Sequence, residues 1–231
     1  MKCFRILPLV ALAIPAMSHA FLWTKTITFT DPDGTYTYSG SADFTQVGST
    51  LQVVFTNTAP TAANFQRRIL TAVFWDLNGN PSVTKNSATI TGGSSQINGG
   101  DSPANIGAHW AFKQGLAANQ WGNARYGISA TGLNVFGPGD TFPPGGGSPQ
   151  GTDYGLVPAG GTSLSNPYVQ NSMTFTMNLP GSYTLSASSI SNVWFQYGSA
   201  TDEFFANVPE PGSMAALAIG AVALLRKRRK K

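Results

Sequence analysis

Leu51-Gln52-Val53-Val54-Phe55-Thr56-Asn57 and Ile69-Leu70-Thr71-Ala72-Val73-Phe74-Trp75 are the two stretches on which the fold turns. In the first, Leu51, Val53 and Phe55 stand at alternate positions, and successive side chains of a strand point to opposite faces, so the three share one face against a core. In the second, apolar side chains fill nearly every position, which predicts a central strand covered on both faces.

Outward from these stretches the same period continues and helical spacing is nearly absent. Thr26-Ile27-Thr28-Phe29-Thr30 alternates hydroxyl and apolar residues, Asp31-Pro32-Asp33-Gly34 supplies a turn, and Thr35-Tyr36-Thr37-Tyr38-Ser39 resumes, the pattern of a hairpin. Further strands are expected over residues 82–91, 109–112, 126–129, 133–136, 172–177, 183–186 and 193–197. The 26 glycines and 15 prolines punctuate them, which predicts an all-β chain whose body, residues 21–207, is a single antiparallel β-sandwich or jelly roll. Residues 137–149, Gly-Pro-Gly through Gly-Gly-Gly-Ser-Pro, do not suit regular structure and read as a long exposed loop or, alternatively, a linker between two domains. No period of roughly 20 to 50 residues recurs, which excludes a solenoid or propeller.

Of the 231 residues only 10% are charged, and the formal net charge is +4. The excess positive charge is confined to the ends: Lys2 and Arg5 at one, and Arg226, Lys227, Arg228, Arg229, Lys230 and Lys231 at the other. From Phe21 to Val208 the chain holds six cations and nine acids, a net charge of −3. A body with six scattered cations has no basic face to neutralise a run of phosphates, so a nucleic-acid partner is excluded.

The N-terminus joins a short basic region, Met1 to Arg5, to an apolar run from Ile6 to Met17 and then Ser18-His19-Ala20. This is the layout of a secretory signal peptide, residues 1–20, cut by signal peptidase after Ala20. Cys3, the one cysteine, would leave with it, and an exported body without disulfides must be held by its core. At the C-terminus Val208-Pro209-Glu210-Pro211-Gly212-Ser213 precedes an apolar run from Met214 to Leu225 and then the six cations. Each proline fixes its own φ and keeps the preceding residue extended, so Pro-Glu-Pro is stiff and suited to a protease cleft. The apolar run would form a short helix of about 20 Å, less than a hydrocarbon core of roughly 30 Å, with the cations retained in the cytoplasm. It would hold the exported chain transiently in the inner membrane.

This three-part ending, residues 208–231, resembles the PEP-CTERM sorting signal of Gram-negative bacteria. The resemblance rests on Val208, Pro209, Glu210 and Pro211, the small residues Gly212 and Ser213, the short apolar run and the basic end. It implies as partner an exosortase, a membrane-embedded cysteine transpeptidase-like protease. It also implies a destination at the cell surface or in the extracellular matrix. An ordinary tail anchor preceded by a proline linker is the alternative. Val73-Phe74-Trp75-Asp76, Tyr154-Gly155-Leu156 and residues 190–198 also look like the body of other exosortase-dependent surface proteins, a family implying a secreted β domain and no particular chemistry.

Candidate chemistry is sparse, and a non-enzymatic protein without cofactors is expected. After signal cleavage His109 is the one histidine and no thiol remains, which excludes thiol catalysis and clustered-histidine metal sites. His109 falls on an expected strand, no Gly-x-Ser-x-Gly elbow exists, and a partly buried structural histidine is the favoured reading. Asp31 and Asp33, and Asp76, Asn78 and Asn80, set oxygen ligands at alternate positions beside a glycine, as calcium loops do. The same residue types build β-turns, which is the preferred reading. Trp110 and Trp121 are the better candidates for an exposed platform on which sugar rings of an extracellular polysaccharide could stack, as in a carbohydrate-binding module, although packing is favoured there too.

Overall fold

The computed structural model describes residues 19–31, 34–116, 121–199 and 205–208. The predicted signal peptide up to Ser18, Pro32-Asp33 and the predicted tail from Pro209 lie outside the described residues.

The chain is all-β. Numbered in chain order, β1 (His19–Asp31) and β2 (Gly34–Val47) form the long antiparallel hairpin that the alternation predicts, in register from His19↔Gln46 to Asp31↔Gly34. Then β3 (Thr50–Asn57), β11 (Ser172–Asn178) and β5 (Thr84–Ile90) complete a five-stranded sheet in the order β1-β2-β3-β11-β5. The second sheet centres on β4 (Leu70–Leu77), with β12 (Ile190–Tyr197) and β13 (Phe205–Val208) to one side. On the other side are β9 (Leu156–Val157), β10 (Tyr168–Gln170) and β6 (Ser95–Ile97). Next to β4 also lies β8 (Tyr126–Ser129), which pairs in turn with β7 (Ala111–Gln114).

The two sheets share one core. Leu51, Val53 and Phe55 of β3 are fully buried, as their alternation requires. Rings from opposite sheets meet edge-on or tilted: Phe44 and Trp75 with centroids 5.5 Å apart, Phe55 and Phe195 at 5.4 Å, Tyr38 and Tyr197 at 5.2 Å. Such pairs add about 0.5–1.5 kcal/mol beyond the area they bury.

Strand β4 is covered on both faces, for two different reasons. Val73, Trp75 and Leu77 face the shared core, whereas Ala72 and Phe74 enter a second cluster with Leu116, Trp121, Ala124, Leu133 and Phe136. The outer cover is thus supplied by connecting segments and not by a helix. Trp121 stacks flat on Phe74 at 4.5 Å.

Several expected strands are corrected. Residues 133–136 form a turn: Leu133 and Asn134 have φ of 47° and 59°, a left-handed conformation that ends a strand, and Val135 and Phe136 both donate to the Gly132 carbonyl. Residues 183–186 are irregular because their backbone bonds elsewhere, Tyr183 to the Pro180 carbonyl and Leu185 to the Gln46 side chain. His109 closes a 3-10 segment, Pro103–His109, and the strand starts after it at Ala111. Strands β9 and β10 pair in parallel, so the second sheet is not wholly antiparallel. Strands β6, β9, β10 and β13 carried no pattern long enough to read.

The loop over residues 137–149 is docked. Pro138–Asp140 makes a 3-10 turn, Thr141 bridges to Ala111, and Phe142 is fully buried with its N–H donating to the Trp110 carbonyl.

Candidate functional site

Strand β13 ends the described chain and contains the first residue of the predicted sorting signal. Phe205-Ala206-Asn207-Val208 has the alternation of a short edge strand: Ala206 and Val208 are buried while Asn207 is exposed. Facing positions on β12 are Gln196, Phe195, Trp194 and Val193 respectively. Val208 packs into the shared core, where Val193 also lies. The fold therefore extends one residue past the boundary expected at 207. Pro209, Glu210, Pro211 and the cations from Arg226 to Lys231 lie outside the described residues.

At the other end, Ala20 is an exposed residue of β1 facing Thr45. The expected cut after Ala20 falls within the first residues of this strand and would leave the register from Phe21↔Phe44 onward.

Trp110 and Trp121 do not form a platform. Both are fully buried, which agrees with the favoured reading of packing and removes them as an exposed sugar platform. Trp110 lies between the sheets, 5.0 Å from the Phe175 ring and 6.4 Å from that of Phe55, and its indole N–H donates to the Tyr154 carbonyl at 3.1 Å. Trp121 is the ring stacked beneath the turn segments on Phe74. Trp23 and Trp75 are core residues too, and Trp194 is half-buried, its indole N–H donating to Asn192.

His109 is partly buried and belongs to a compact trio. Its Nε2 lies 3.0 Å from Asp101 Oδ2, the Tyr154 hydroxyl donates to the same oxygen, and the imidazole stacks on the Tyr154 ring at 3.7 Å. The Tyr154 hydrogen bond, with His109 behind it, holds the Asp101 carboxyl below its ordinary value. Burial and then that same carboxylate push the Tyr154 hydroxyl well above the usual range. An acid and a phenol that stabilise each other's ordinary protonation states make a structural clasp. It joins the segment before the 3-10 turn to the loop that holds Tyr154.

The Asp76 group also serves structure. Its two carboxylate oxygens accept from the Arg125 backbone N–H at 2.8 Å and from Asn192 Nδ2 at 3.0 Å, and Asn192 bonds in addition to the Gly122 carbonyl and Trp194. Asn78 donates its backbone N–H to Ser189, and Asn80 takes a left-handed turn conformation at φ 46°. Asn78 and Asn80 therefore lie in and just after the turn that their composition favours, whereas Asp76 is still part of β4, paired with Ser191, and braces that turn from the strand. Among the described residues no group of three acids, histidines or cysteines is placed to hold a metal ion. Asp33 and the Asp31 side chain lie outside the described residues.

One surface feature escaped the sequence. A cavity of about 310 Å³ lined by Asn80, Ser82, Gln114, Arg125 and Tyr126 shares Gln114 with a neighbouring one of about 390 Å³ lined by Val83, Lys85, Phe112, Lys113 and Asp140. Gln114 Oε1 accepts the Val83 N–H and so ties the edge of one sheet to the approach to the other. Lys85 and Lys113 donate to the Gly139 and Val135 carbonyls, and burial raises the Tyr126 hydroxyl to about 12. Nothing in the sequence places these residues together, because they come from four separate segments, around residues 80–85, 112–114, 125–126 and 140.

The described residues thus define an all-β body that ends in a core-packed edge strand. Residues 207–230 match the family model of the PEP-CTERM protein-sorting motif, so the chain is a PEP-CTERM domain-containing protein, and the motif indicates exosortase-dependent sorting of a bacterial surface protein. Comparison with curated proteins and with solved structures gives no significant match.

Proposed function

We propose that the chain is a non-enzymatic exported β-sandwich protein, delivered by a signal peptide ending at Ala20. The apolar run from Met214 to Leu225 holds it transiently in the inner membrane of a Gram-negative cell. An exosortase then cuts it near Pro209-Glu210-Pro211, and the body remains at the cell surface or in the extracellular polysaccharide. The observation that carries this reading is the motif match over residues 207–230, which begins within the last described strand of the body. The two sheets with their shared aromatic core support the sandwich architecture. Intact-mass measurement of the surface form is expected to show a chain that begins near Phe21 and lacks the segment from Met214 to Lys231. A surface form that retains the basic tail overturns the reading in favour of a tail anchor.

A carbohydrate-binding module is the second reading, and the double cavity beside Gln114 and Arg125, with polar side chains set in a largely apolar lining, is the feature that favours it. Retention of the body on extracellular polysaccharide is then expected to fall in Arg125→Ala and to persist in Trp194→Phe. Retention unaffected by Arg125→Ala removes this cleft from consideration.

A further inference from the structure

The strand that closes the second sheet and the motif that routes the protein claim the same two residues. The family match starts at Asn207, whereas β13 runs to Val208. In the folded body Asn207 faces Trp194 and Val208 faces Val193 across the ladder, and Val208 is only 2% exposed. Resting on the sorting reading above, we propose that β13 must come away from β12 before an exosortase can take the motif, so that the folded body itself regulates its own release.

A protease takes its peptide as an extended segment and bonds the main chain on both sides of the cut, as a strand is added to a sheet. Residues already paired with β12, one of them with its side chain in the core, cannot also be offered to an enzyme. No spacer separates the two uses: Pro209 follows Val208 directly, and a proline lacks the N–H that would extend the ladder and holds the residue before it extended.

The strand is suited to opening. It has 4 residues and, among the described residues, stands at the sheet edge and pairs with β12 alone. Short edge elements open at a small fraction of the global unfolding free energy. After the cut Ala206 and Val208 would return to the core, and the body would keep its last strand. The same pairing that slows processing thus seals the product.

The experiment uses the full chain in a host that carries an exosortase, with conversion of precursor to mature form followed by pulse-chase and intact mass. Val193→Cys with Val208→Cys places two thiols at facing positions of the ladder, within the Cα separation a disulfide accepts, in an oxidising compartment. The locked protein is expected to accumulate as precursor, its conversion slowed about tenfold or more and restored by reductant, because strand opening is prevented. Inserting Gly-Ser-Asn-Val between Val208 and Pro209 gives the fold and the motif separate copies of the disputed residues. It is expected to speed conversion of the parent chain and to release the locked one without reductant.

Conversion of the oxidised, locked chain at the parental rate overturns the proposal, and so does an insertion that leaves the parental rate unchanged. Replacing Pro209, Glu210 and Pro211 together by alanine tests the sorting reading separately. Unchanged conversion of that variant removes the sorting reading whatever the behaviour of β13.

Discussion

Trp110→Ala is expected to lower folding stability by about 3–5 kcal/mol, the range for emptying a large aromatic site in a core. The indole is fully buried between Phe55 of one strand and Phe175 of another, so its removal leaves a void bounded by rigid rings that cannot collapse into it. It also leaves the Tyr154 carbonyl without the indole N–H. Trp110→Phe keeps most of the volume and loses that hydrogen bond, so a smaller cost of about 1–2 kcal/mol is expected. Chemical denaturation midpoints of the signal-free body measure both. A midpoint unchanged by Trp110→Ala would mean that the ring faces solvent and would restore it as a sugar-stacking candidate.

Gly147→Ala is expected to cost about 1–3 kcal/mol, the usual range for forcing an extra methyl into filled space. A methyl at Gly147 would collide with the Ala108 carbonyl oxygen and lie 2.8 Å from its carbon. Those are backbone atoms of the 3-10 segment and cannot swing aside. Gly107, within that segment, is equally crowded by the Pro143 carbonyl, so the two glycines allow the loop and the segment to lie against each other. Gly139 in the same loop has open space around it, and Gly139→Ala is expected to be neutral within about 0.5 kcal/mol, as for an unconstrained surface change. Thermal unfolding of the two variants side by side checks the docking. Equal midpoints would mean that the glycine-rich loop is free of the body.

The loop shows how far the sequence reaches. The glycines and prolines of residues 137–149 predict an exposed loop without long regular elements, and a short 3-10 turn, one bridge residue and a further turn are what forms there. Composition does not show that Phe142 is a core residue, or that Lys85 and Lys113 donate to carbonyls of this region. Each contact joins residues far apart in the chain. Trp110 and Trp121 tell the same story. Their polar neighbours make them the better candidates for exposure even though packing is the favoured reading, and what packs across the sheets decides for burial. Leu133–Phe136 looked like a strand from its apolar content, yet it is a left-handed turn that still uses Leu133 and Phe136 to cover Phe74.

The features legible before folding are those written in local order. The period-two alternation made the chain all-β, the continuous run from Ile69 to Trp75 marked the strand covered twice, and the ordered parts of the last residues spelled the sorting motif. These are signals carried by neighbours along the chain, so no fold is needed to read them. Packing across the two sheets sets which aromatic rings are inside, which short strands pair and which carboxylates are occupied as clasps. It also placed Val208 in the core. A four-residue edge strand has too little pattern to announce itself, and only its pairing with β12 shows that the routing signal begins inside the fold.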